Sequence, residues 1–305
     1  MNTIANSSRV TIREHKIPTA DAKPYIAAEG PDGALWFCES GASKIGRFDP
    51  DRASFTEFAL PAKTATPIGI IAGADGNLWF CEKAVNRIGR ITPHGEVAEF
   101  IIPSPYAGPD GIALGPDGNV WFSESEISKL GRITPDGAIT EFGDGISFGA
   151  RPLSLVVRDG ALWFSEAAGN RIGRITMDGE VTEFPSPSHD SQPRAMAAHP
   201  DGSIWFVETS TNALGRLDRD GRITEHSVPT PDSSLRGVAV GADGDLWYTA
   251  NAVNKIGRMA PDGMVCGEYD IPTPNSGARC ITVLNDGRVF FTQYDAGLIG
   301  EVVVG

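Results

Sequence analysis

At 305 residues, 41% of them hydrophobic and 21% charged, the chain has enough apolar material to bury a sizeable core. Its formal net charge of −13 excludes a general attraction to nucleic acid or to anionic membrane. No stretch approaches the ~18 apolar residues of a membrane-crossing helix, and four cysteines without CxxC spacing point to reduced thiols rather than a disulfide framework or zinc site.

The opening stretch, MNTIANSSRVTIREHKIP, lacks a basic start, an apolar run and a small-residue cleavage site, so a cytoplasmic location is expected. Residues 9–18 read as a strand resembling later segments such as EVAEFIIP and EVTEFPSP. From there a single unit recurs. A short apolar strand reaches an Asp-Gly pair at Asp32, Asp75, Asp117, Asp159, Asp201, Asp243 and Asp286, a dipeptide suited to the type I′ turns that join antiparallel strands. Next comes a strand centred on Trp36, Trp79, Trp121, Trp163, Trp205, Trp247 and, in the last copy, Phe290, with successive centres 42 or 43 residues apart. Nine residues after each aromatic an IGR, LGR or IGE triplet marks a third strand, and a TEF-like fourth strand follows in every copy but the last.

Four strands per 42-residue unit, without a competing helical period, predict an all-β fold: a seven-bladed β-propeller of four-stranded antiparallel blades. Residues 1–305 are expected to form one propeller domain. The last blade, about 277–304, has only three strands of its own, so the N-terminal strand at 9–18 is expected to complete it and close the ring. Closure also removes an exposed sheet edge.

The start of each first strand and the end of each second strand should meet at one mouth of the central channel. The first set holds Tyr25, Ile68, Asp110, Leu153, Arg194, Arg236 and Arg279; the second holds Ser40, Lys83, Ser125, Ala167, Thr209, Asn251 and Tyr294. Three consecutive arginines on one arc call for a counter-charge, because guanidinium groups stay protonated and repel one another. A bound carboxylate or phosphate would provide it bidentately, and so would pairing with Asp190, Asp232 or Asp295. The candidate ligand-binding residues are Tyr25, Asp110, Arg194, Arg236, Asn251, Arg279 and Tyr294. A repeated glutamate, at 39, 82, 124, 166 and 208, is expected to bond an IGR arginine of its own or the following blade. The histidines, at 15, 94, 189, 199 and 226, fall on outer strands, turns and loops, so no metal cluster is expected.

The combined pattern LWFxE, N-x-IGRIT, DG, TEF and IPTP resembles the streptogramin B lyases (virginiamycin B lyases) along essentially the whole chain. The resemblance implies a seven-bladed propeller that opens a cyclic depsipeptide at its ester by β-elimination with Mg²⁺. It makes Tyr25 a ligand-contacting residue. Where that family carries a Glu-Pro-His stretch with a metal carboxylate and the general base, this chain has Gly277, Ala278 and Arg279; Tyr294 stands at a second metal carboxylate and Arg236 at a substrate-contacting histidine. Arginine cannot serve as a base near neutral pH, and glycine and tyrosine are poor Mg²⁺ ligands. No cofactor is therefore expected, nor a nucleic-acid or membrane partner, and the chain is expected to be a monomer. The residues leave three functions open: binding, with or without transformation, of a small anionic molecule at the arginine-lined mouth; a C–O lyase; and a non-catalytic propeller offering a protein-interaction surface.

Overall fold

The structure, a computed structural model, describes residues 10–305. Seven four-stranded antiparallel sheets follow one another, six of them with their strands in chain order from the centre outward. In the first blade these are Pro24–Glu29, Leu35–Glu39, Lys44–Asp49 and Ser54–Ala59. The inner strands contact their neighbours in succession, and the seventh (Ala278–Val283) returns to the first. The N-terminal strand, Val10–Lys16, pairs with Leu298–Val304 from Val10 opposite Val304 to Lys16 opposite Leu298, completing the last blade. Position 9 of the expected strand lies outside the described residues, and 17 and 18 fall beyond the strand's end. Among the described residues no helix is long and apolar enough to cross a membrane.

Alternation along the second strand explains the packing. Trp36 and Cys38 face the next blade, where they meet Leu78 and Phe80; Leu35 and Phe37 face the previous blade and meet Phe290 and Ile299. Such a strand is buried on both faces, as the apolar run at 35–38 requires, and it carries Glu39 into the interior with it. The glycine of the IGR triplet completes the arrangement, because the ring of Phe37 lies directly over Gly46 where any β-carbon would collide with it.

The turns after the inner strands depart from expectation. In the first blade Gly33 N–H donates to Gly30 C=O, and only Gly33 has positive φ, which describes a type I turn followed by a left-handed glycine. A true two-residue turn, with both Asp159 and Gly160 at positive φ, occurs in the fourth blade. One extra loop residue distinguishes the two cases: Arg158 pairs directly with Ala161, whereas the first blade has three residues between Gly30 and Ala34.

Every inner strand also carries a β-bulge at its entrance, for example between Pro24 and Ala27 and between Ala278 and Ile281. A bulge sets two residues against one on the partner strand and re-aims their side chains. It does so here at the positions predicted to ring the mouth.

Candidate functional site

The bulged entrances are pinned from the neighbouring blade. Thr249 Oγ1 accepts from Gly237 N–H (2.8 Å) and donates to the carbonyl of Arg279 (2.8 Å). Thr292 Oγ1 accepts from Cys280 N–H (3.1 Å) and donates to the carbonyl of Tyr25 (2.7 Å), while Ser123 Oγ does the same for Gly111 and Leu153. Cys38 and Cys81 occupy the same position, with thiols directed at the carbonyls of Gly69 and Gly111. These side chains fix where the mouth residues stand, and sequence reading passed over them. Their signal was the small donor after the aromatic pair: Cys in two copies, Ser in two, Thr in two.

The inner strands enclose a cavity of about 420 Å³ to which all seven blades contribute. Five of the seven predicted ligand residues line it: Tyr25, Asp110, Arg194, Arg236 and Arg279. Tyr294 lies behind, its ring centroid 4.0 Å from the Arg279 guanidinium carbon, with the Tyr25 centroid at 4.9 Å. The two rings meet edge to face at 5.9 Å and form a corner against the guanidinium, a cation–π arrangement worth ~0.5–2 kcal/mol per ring. Asn251 is not in the lining; its amide donates to the carbonyl of Ala278 (2.9 Å) and ties the sixth blade to the seventh. Two charged lining residues were not among the candidates. Arg151 enters the fourth blade in a left-handed conformation (φ 56°), and Lys83 pairs with Asp110 at 2.7 Å.

The arginines facing the cavity are short of partners. Among the described residues Arg151, Arg194, Arg236 and Arg279 form no ion pair with a carboxylate, and Nε of Arg194 and of Arg279 is buried without a hydrogen-bond acceptor. Asp295, one of the anticipated counter-charges, pairs instead with Lys23 at 3.2 Å. Burial, with Arg194 and Arg279 nearby, presses the Arg236 guanidinium below its ordinary pKa, and burial with Arg151 does the same to Arg194. Lys83, the other cation of the cavity, is neutralised by Asp110.

The glutamate expectation is overturned. Five of the six IGR arginines pair with aspartates of the turn at the far end of the blade, among them Arg47 with Asp32 (2.6 Å), Arg216 with Asp201 (3.1 Å) and Arg258 with Asp245 (2.7 Å). Strand register forbids the predicted pair. Arg47 lies opposite Trp36 on one face of the sheet, whereas Glu39 shares the other face with Phe37 and Lys44. That face turns toward the preceding blade, so the following blade's arginine is out of reach as well. Both oxygens of Glu39, Glu82, Glu124 and Glu166 are buried without hydrogen-bond partners, and so is Oε1 of Glu208. Burial, reinforced by the fourth-strand glutamates Glu57, Glu141 and Glu183, pushes Glu39, Glu124 and Glu166 up to about 8; Glu82 and Glu208 rise to about 7.

The donor set does not fit Mg²⁺. Gly277 offers no side chain, has φ 70°, and faces Asp295 closely, while the Tyr294 ring is committed to Arg279. No group of three or more His, Cys, Asp or Glu residues that could hold a metal ion occurs among the described residues. Nor does a histidine line the cavity: His15 pairs with Glu301 on the outer edge, His199 with Asp201 at a turn, and His226 packs on Trp205.

Comparison with known proteins places this geometry. The Virginiamycin B lyase family matches the chain over residues 4–156 and 146–305, and the chain belongs to that family. A solved streptogramin B lyase is 32% identical, with 97% of this chain and 98% of that one covered and a TM-score of 0.92. A catalytically inactive histidine-to-alanine variant of the virginiamycin B lyase from Staphylococcus aureus, solved with quinupristin, is 35% identical over 97% of this chain and 100% of its own, again with a TM-score of 0.92. A curated virginiamycin B lyase from Streptomyces coelicolor is 48% identical over 46 residues, a match that spans only 15% of either chain.

Proposed function

We propose that this member of the virginiamycin B lyase family keeps the family's propeller but binds a different ligand, a small anionic molecule held by Arg194, Arg236 and Arg279. The observation that carries this reading is a set of guanidinium groups facing one cavity without a carboxylate partner, two of them with a buried, unpartnered Nε. Two unit charges ~8 Å apart repel by roughly 0.5–2 kcal/mol at intermediate dielectric, so the arrangement favours occupancy by an anion. Carboxylate and phosphate oxygens match the guanidinium fork. Arg279, braced against Tyr25 and Tyr294, would contribute a preoriented donor.

The family's lyase reaction is the alternative, favoured by the close likeness over the whole propeller. Taking a carbon-bound proton requires a group that is unprotonated near neutral pH, and Arg279 cannot be one. The Staphylococcus aureus protein is described as inactive once a histidine is replaced by alanine, and the cavity of this chain is lined by no histidine. Both points support binding of an anion over the inherited elimination.

The test is Arg236→Met, assayed by thermal shift with a panel of carboxylate and phosphate compounds. A bound anion should lose about 1.5–3 kcal/mol of affinity, the value of a hydrogen bond to a charged group. The unliganded variant should melt at the parent temperature or slightly higher, because one member of a like-charged cluster has gone. Earlier melting of the unliganded variant would mean that Arg236 was neutralised internally, and the anion reading would fall.

A further inference from the structure

We infer that the ligand is an amphiphilic anion, one charged head on a hydrocarbon tail, bound with the tail pointing into the propeller; this rests on the anion reading above and specifies its chemical class. The inner strands set out two levels. At the entrance stand Arg194, Arg236 and Arg279; two residues further along the same strands come Met196, Val238 and Ile281, joined by Ile112 and Leu155 from the third and fourth blades. A two-residue advance is at most ~6.6 Å of strand, shortened here by the entrance bulge, and it sets the charged layer at the mouth and the apolar one deeper. The corresponding residues of the first two blades, Ala27 and Ile70, are buried between blades, so five of the seven blades supply the apolar layer that faces the cavity.

Size and charge then restrict the occupant. At ~30 Å³ per water molecule, a cavity of about 420 Å³ is the share of about 14 waters. A carboxylate head alone fills a small part of that. Much of the remainder is bounded by Ile112, Leu155, Met196, Val238 and Ile281, with Ser154 and Cys280 as the small polar side chains among them, and Asp110, the acidic residue of the lining, already holds Lys83. A hydrophilic polyanion would meet the arginines and leave this aliphatic layer against trapped water. A hydrocarbon tail would cover it, with the hydrophobic gain of an apolar pocket closed by a few polar groups.

The experiment is isothermal titration of the full chain with butanoate, hexanoate and octanoate, with citrate and inorganic phosphate as hydrophilic anions, and octanamide as a tail without charge. Affinity should rise about fourfold per added methylene, following ~0.8 kcal/mol for each buried CH₂. Arg236→Met should weaken all three carboxylates by a similar factor and leave the steepness of the series unchanged. Val238→Thr, nearly the same shape with a hydroxyl in the apolar layer, should flatten the series while sparing butanoate; the parent's own series decides the matter if that variant fails to fold. A flat series, with citrate or phosphate binding as tightly as octanoate and still dependent on Arg236, would overturn the tail and leave the anion site standing. Octanamide binding as tightly as octanoate would overturn the charged head. Binding of none of these anions, together with an Arg236→Met protein that melts early, would remove the underlying anion reading itself.

Discussion

Replacing Glu124 by glutamine tests the ring of buried carboxyls. Glu124 is fully buried, its oxygens lack partners, and burial with Glu141 alongside raises it to about 8 from an ordinary 4.5, against the opposing pull of Lys129. Between those two pH values the folded chain holds a proton that the unfolded chain has released. Stability from this group is therefore fully present below 4.5 and is lost as pH rises toward 8, at about 1.4 kcal/mol per pH unit. From pH 5.5 to 7.5 that amounts to at most ~2.7 kcal/mol for this residue. Glutamine keeps the shape and cannot ionise, as Gln293 already does at the same position of the seventh blade. Urea unfolding of parent and variant at pH 4.5, 5.5, 6.5, 7.5 and 8.5 should show the smallest difference at the lowest pH and a growing advantage for Glu124→Gln up to about pH 8, with no further gain above it. Taking the difference between the two proteins cancels every other titrating group, including the general repulsion of a chain at −13. A difference that stays constant across the series would show that Glu124 is ionised in the folded protein, and the account of an unpaired, neutral carboxyl would fail.

Removing residues 1–16 should expose the edge of Leu298–Val304 along the whole Val10–Lys16 pairing and cut the bond from Thr273 to Glu14, lowering stability by several kcal/mol or causing aggregation; unchanged melting temperature and monodispersity would refute the closure. Thr292→Val should leave the Cys280 N–H and Tyr25 carbonyl without their hydroxyl partner and cost about 1–3 kcal/mol, read as an earlier urea midpoint; an unchanged midpoint would mean that water replaces the hydroxyl. Purified protein should not open virginiamycin B, with or without added Mg²⁺, since general-base catalysis alone is typically worth ~10²–10⁴-fold and Arg279 cannot supply it. Mg²⁺-dependent turnover would place the chemistry elsewhere on the propeller.

The sequence by itself determined the architecture, because what builds a propeller is local and repeated. The Trp36-to-Phe290 spacing, the alternation within LWFCE and the missing last fourth strand are visible without coordinates, and they fix blade number, strand count and closure. It also indicated which residues come to one mouth, since antiparallel order sends strand starts and strand ends to the same side. Pairing was another matter. Whether Glu39 can reach Arg47 depends on which face of the sheet each occupies, and that parity is set by the pairing across the hairpin, which places Arg47 opposite Trp36. The turn form at Asp32-Gly33, the bulge that aims each entrance residue, and the hydroxyls of Thr249 and Thr292 that hold it likewise arise from register and from contact between blades. Only the assembled ring decided that Asp295 belongs to Lys23, that Tyr294 stacks on Arg279, and that among the described residues the arginines of the mouth have no carboxylate of their own: charge partnership depends on distances across the cavity, and those exist only once seven blades have closed.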